Sequence, residues 1–161
     1  MAQFCDYFST ANAEVAALAI AFGPRDCGFD SVEAKNIEPD VVLAKLVALV
    51  RGVPWSPDTA PTRWLWPPPQ TEPLYKVYHA LPEDSPLRNG PWLVELSVAV
   101  RDELATVDTA RLPTLAAQWA AIEEMSRLWN ADSLTELLQE LVYLAMTARE
   151  GAGQLYCWGT V

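Results

Sequence analysis

Histidine is nearly missing from this chain: one residue, His79, in 161. A metal site built on two imidazoles is therefore excluded, and any Ser/His/Asp or Cys/His arrangement must use that residue. No G-x-S-x-G stretch supplies a nucleophile elbow. Cysteine is also scarce. Cys5, Cys27 and Cys157 lie far apart with no C-x-x-C, which argues against a metal knot, and three thiols cannot all pair. Basic residues are few, 11 against 21 acids, and the formal net charge of −10 repels phosphate backbones and anionic lipid headgroups. No nucleic acid and no membrane partner is expected; a basic protein is. Long apolar runs are absent too, since "EVAALAIAFG" is too short to span a bilayer. With no basic segment before an apolar one at the start, a cytoplasmic chain with free thiols is expected. No cofactor is expected, and nothing in the sequence sets an oligomeric state.

What remains is 51% hydrophobic, enough at this length for one core, and a single domain over 1–161 is expected. Residues 3–8 read as a strand with Phe4, Asp6 and Phe8 on one face and Cys5 and Tyr7 on the other. A helix capped by Ser9 or Thr10 follows, with Val15, Leu18, Ala19 and Phe22 as its stripe and Gly23 and Pro24 as its stop. A second strand is expected near residues 29–36. Pro39 then opens an apolar helix that Gly52 ends. Between residues 54 and 91 lie ten of the thirteen prolines and three of the seven tryptophans, with Trp92 directly after. This segment reads as irregular, with strands at "TRWLW" and "PLYKVYHAL".

The last third is patterned for helices. "WLVELSVAVRDELATV" stripes Leu93, Leu96, Val100, Leu104 and Val107, "LPTLAAQWAAIEEMSRLW" stripes Leu115, Trp119, Ile122 and Met125, and "SLTELLQELVYLAMTAREG" opens with Ser133 and Glu136 at capping-box spacing. "QLYCWGT" closes the chain as a strand. The two end segments, "CDYF" and "LYCW", are too short to stand alone and apolar on both faces, so pairing them inside one helix-covered sheet is the economical solution. The expected fold is α+β: a small mixed sheet containing both termini, packed by about five helices.

Candidate site residues are few. Asp6 among aromatics is costly to bury without partners. It either accepts backbone N–H groups at the following helix start or pairs with Lys35, or it is a functional carboxylate. His79 reads as a structural or surface histidine, or as a second acid or base candidate beside Asp6. Glu33 and Lys35 share a strand face and fit a solvated pair. Trp55, Trp64, Trp66, Tyr75, Tyr78 and Trp92 crowd in or beside the proline-rich segment, and rings of this kind either pack that segment or form an interface or pocket. The "GAG" of "EGAGQL" follows a helix and precedes a strand, the reverse of a dinucleotide loop, and reads as a turn.

"CDYF", "EAKNI", an apolar helix ending "LVRG", "LVELSVAVRDELATVDTARL" with "QWAA" downstream, and the closing "LYCW" together resemble the YfbM-like bacterial family of uncharacterised function, and short actinobacterial proteins that begin and end this way. The resemblance implies an α+β domain and contributes no catalytic residue. Where that family has histidines near the glycine ending the second helix, this chain has "VALVRGVPW", so no role for them carries over.

Small size, acidity, the Trp/Pro-rich segment and the lack of a catalytic constellation point to a protein-binding module such as an immunity or inhibitor protein. The alternative is a small enzyme or small-molecule-binding protein with its pocket near the Trp/Tyr-rich segment and with Asp6 and His79 as acid and base.

Overall fold

The computed structural model describes residues 3–69, 80–85, 88, 90–125 and 129–160. Five strands, β1 Phe4–Thr10, β2 Ser31–Glu33, β3 Thr62–Trp66, β4 Trp92–Leu96 and β5 Gln154–Thr160, form one sheet in the order β2-β1-β5-β4-β3. The two end strands thus lie side by side in its interior, paired from Phe4 with Thr160 to Thr10 with Gln154. All four pairings are antiparallel, where a mixed sheet is expected from the sequence. The connections β1–β2, β3–β4 and β4–β5 each reverse the chain, and the two end strands run opposite ways beside each other.

Register sorts the side chains into two faces. One face runs Val32, Tyr7, Cys157, Val94, Trp64 across the strands, with Cys5, Gly159 and Trp92 in the next row. The opposite face runs Glu33, Asp6, Trp158, Leu93, Trp66, and beside it Ser31, Phe8, Tyr156, Glu95, Arg63.

The first face carries the main core. Helix α3, Ala44–Arg51, is preceded by a wide turn at Pro39–Leu43 and ended by Gly52 in the left-handed conformation. Glu38 starts it by accepting from the backbone N–H groups of Asp40 (2.7 Å), Val41 (3.0 Å) and Val42 (2.9 Å). Helices α4, Val98–Ala105, α5, Leu112–Ala120, and α6, Ala131–Glu150, complete the layer. α6 buries Leu134, Leu137, Leu138, Leu141, Leu144, Ala145 and Ala148 along one stripe. Trp119 is fully buried and donates its Nε1 hydrogen to Val42 O at 3.0 Å, so its one polar atom is satisfied inside the core.

On the second face a smaller cluster joins Phe8, Tyr156 and Leu93 to Ala16 and Ala19 of two four-residue helices, α1 Ala13–Ala16 and α2 Ala19–Phe22. Here the expected stripe fails. Of its members Ala19 is buried, but Leu18 and Phe22 are 62% and 73% exposed and the small Ala16 faces inward beside Ala19, because Phe8, stacked on Phe29 and tilted against Tyr156, already fills this face. Asn12 caps α1 in place of Ser9 or Thr10, which remain in β1.

One correction arises where strand and helix join without a break in apolar pattern. Trp92–Leu96 is a strand, and Ser97 caps the shortened helix behind it by accepting from Val100 N. α5 ends at Ala120, followed by a tight turn at Glu123–Met125. Asn130 rather than Ser133 caps α6. β2 covers only Ser31–Glu33 of the expected 29–36, since Asn36 turns left-handed. The expected "PLYKVYHAL" strand lies outside the described residues. Among the described residues, no helix is long and apolar enough to cross a membrane.

Candidate functional site

Of the aromatic candidates, Trp64 and Trp92 are brought together. β3 and β4 are paired so that Trp64 stands opposite Val94, which puts Trp64 and Trp92 on one face with ring centroids 6.1 Å apart, tilted 48°. Trp92 reaches this position because Gly159 opposite it has no side chain. Both rings line a recess of about 140 Å³ whose other walls are Val94, Pro39, Gln3 and the carboxylates Glu38 and Asp40. Asp40 is exposed and accepts from Thr62 Oγ1 at 2.9 Å. Glu38 is held in place by its three backbone donors. A recess this small is below the range for cofactors and metabolites and suits a single side chain. Ring faces beside two carboxylates attract a cation.

The other aromatics are elsewhere. Trp55 is 39% exposed with the Lys45 ammonium 5.4 Å from its ring, and Lys45 also pairs with Glu124 at 2.5 Å. Trp66 belongs to the opposite face, packed against the smaller cluster. Tyr75, Tyr78 and His79 lie outside the described residues.

Asp6 is on that opposite face as well, away from Trp64. It stands between Glu33 and Trp158 in register and lines a cleft of about 360 Å³ with Phe4, Phe22, Arg25 and Glu33. Partial burial, then the Glu33 carboxylate, push the Asp6 carboxyl above its ordinary value, and Arg25 opposes them. Neither expected partner arrangement forms. Lys35 sits 5.5 Å over the Phe4 ring, and Glu33 pairs with Arg25 at 3.3 Å rather than with Lys35.

Cys5 and Cys157 are both fully buried free thiols on the main-core face, and Cys27 is a partly exposed third. Burial, with the Cys5 thiol as hydrogen-bond neighbour, raises the Cys157 thiol well above its ordinary range, the reverse of a reactive cysteine. Tyr7, beside Cys157 in register, donates to Ile37 O at 2.7 Å. Cys5, Tyr7 and Cys157 all belong to the main core. Among the described residues, no group of three or more His, Cys, Asp or Glu is placed to hold a metal.

Sequence reasoning missed Glu38, Asp40 and Arg25. An acid beside a proline at a helix start reads as routine capping, and only the fold brings it to the tryptophans. Comparison with family models, curated proteins and solved structures finds no match to the chain.

Proposed function

We propose that the chain is a cytoplasmic protein-binding module that meets a basic partner, in the manner of an immunity or inhibitor protein. The observation that carries this reading is the Trp64/Trp92 recess with Glu38 and Asp40 at its walls, on a chain of net charge −10. A Lys or Arg side chain entering it gains ring-face and carboxylate attraction together, while the surrounding charge speeds encounter and repels acidic competitors. Tryptophan in a small recess is also the usual anchor of a binding hot spot. The likeness to the YfbM-like family belongs to this proposal and brings no catalytic residue with it.

A photo-crosslinking residue in place of Trp64, used in the native host, tests it. The expected product joins the chain to a basic protein whose activity falls when the chain is bound. Trp64→Ala with Asp40→Asn should weaken that complex at least tenfold, and added salt should weaken it further. Failure to crosslink any protein, with a metabolite raising the melting temperature instead, overturns the reading.

The half-buried Asp6 favours a second reading, a small-molecule-binding protein or enzyme using the 360 Å³ cleft. Its volume is ligand-sized, and a carboxyl held above its ordinary value is a common feature of binding and catalytic sites.

A further inference from the structure

Among the described residues the sheet has two edge strands, and β2 is one of them. Asp30 O accepts from Ser9 N at 3.3 Å, and Ala34 N donates to Cys5 O at 2.7 Å, so the even-numbered residues of this segment turn their backbone toward β1. Alternation in an antiparallel ladder then points the N–H and C=O groups of Ser31 and Glu33 away from the sheet. The next outward carbonyl, Lys35 O, is taken by Trp129 Nε1 at 3.0 Å. Among the described residues, this edge is therefore covered at Lys35 and open at Ser31 and Glu33. Exposed edges are commonly blunted by lysine, proline or a bulge. Ser31–Glu33 has no lysine, proline or bulge, its protection being its length of three residues and the charge of Glu33.

Both sides of the open stretch are acidic. Between β2 and α6 runs a groove of about 710 Å³ lined by Asp30, Ser31, Glu136, Glu140 and Tyr143. Glu136, Glu140 and Tyr143 follow one another at helical spacing, and Tyr143 is 71% exposed. On the other face Glu33 and Asp6 stand side by side, with Arg25 as the nearby cation.

We propose that the open edge of β2 accepts an extended basic segment of a partner protein as a sixth strand, with Ser31 and Glu33 supplying main-chain hydrogen bonds and the flanking acids selecting Lys or Arg. The inference rests on the reading of the chain as a module for a basic partner and names the mode of binding. An added strand sends alternate side chains to the two faces. Those opposite Val32 enter the groove toward Glu136, Glu140 and Tyr143; those opposite Glu33 stand beside Glu33 and Asp6. A second copy of this chain is disfavoured there, because its own Asp30 and Glu33 would face the same acids.

The probe is the blocked hexapeptide Arg-Val-Arg-Val-Arg-Val at low salt, followed by amide exchange and by chemical shifts of the full chain. Saturating peptide should slow exchange of the Ser31 and Glu33 amides at least tenfold. A version N-methylated at alternate backbone positions should lose that protection. Ser31→Pro removes an outward N–H and spares the β1 pairing, and Glu136→Lys with Glu140→Lys leaves the sheet untouched; each should weaken binding at least tenfold. Equal binding of the N-methylated peptide, or protection of neither amide, overturns the proposal. If the peptide instead shifts only the Trp64 and Trp92 indoles, the edge proposal falls and the basic-partner reading stands. If it does not bind at all, both fall.

Discussion

Trp92 packs its indole directly over Gly159, its cross-strand partner, so closely that a Cβ at residue 159 would overlap Cζ2 and Cε2 of the ring. The same contact positions Trp92 for its tilted approach to Trp64. A missing side chain on the last strand thereby shapes the recess formed by the middle of the chain.

Gly159→Ala should therefore destabilise the protein by about 3 kcal/mol, the upper range for overpacking, because rigid ring atoms rather than a flexible chain end must move. Urea unfolding measures the loss. A companion change in Trp64 and Trp92 indole shifts is expected, and its absence would mean that the ring has another way out.

Tyr7 and Ile37 provide the second test. Tyr7→Phe removes the buried donor to Ile37 O and leaves that carbonyl unpaired, at a cost of about 1–3 kcal/mol. Equilibrium unfolding of the variant checks this, with no change expected in the denaturant dependence.

Asp6 sets a pH dependence. Its native carboxyl is raised from the ordinary value of 3.8 by burial and by Glu33, so it holds its proton to higher pH than in the unfolded chain. Its contribution to stability is present below 3.8 and is lost as the pH climbs through the raised native value. Asp6→Asn should raise the melting temperature at pH 7, with the gain shrinking toward zero in acid. Glu33→Gln should bring the Asp6 titration midpoint down, since it removes the repelling carboxylate and frees Arg25 from its pair. An unchanged midpoint by carboxyl-carbon resonance would refute the assigned cause.

The thiols divide two to one. Cys5 and Cys157 are fully buried, whereas Cys27 is partly exposed and donates to Leu18 O at 3.4 Å. A chromogenic thiol reagent at pH 8 should titrate one thiol in the native protein and all three in denaturant. Cys27→Ser should leave the native protein unreactive.

The chain ends were legible because six or seven residues with apolar side chains on both faces have few stable uses outside a covered sheet. The predicted face alternation of Phe4, Asp6 and Phe8 against Cys5 and Tyr7 matches the register. Trp92–Leu96 was not legible for the same reason. It too is covered on both faces, so no polar alternation interrupts the helix-like spacing of Leu93, Leu96, Val100 and Leu104, and only Ser97 marks the boundary. Leu18 and Phe22 misled in the opposite way, since a helical stripe shows which residues could be buried together but not whether room remains beneath them.

By itself, the sequence determined the α+β class, the placement of both ends as strands, the acidic charge and the aromatic members of the candidate site, all of which follow from composition and local period, while Glu38, Asp40 and Arg25 gave no such signal. Tertiary structure alone decided which of those residues meet. Pairing β3 with β4 set Trp64 beside Trp92 and, through the turn at Pro39, beside Asp40; pairing β1 with β2 and β5 put Asp6 on the other face, between Glu33 and Trp158. Period fixes the face a side chain takes along its own strand. Neighbours across strands are chosen by the burial of the whole sheet, a non-local quantity that no short stretch of sequence contains.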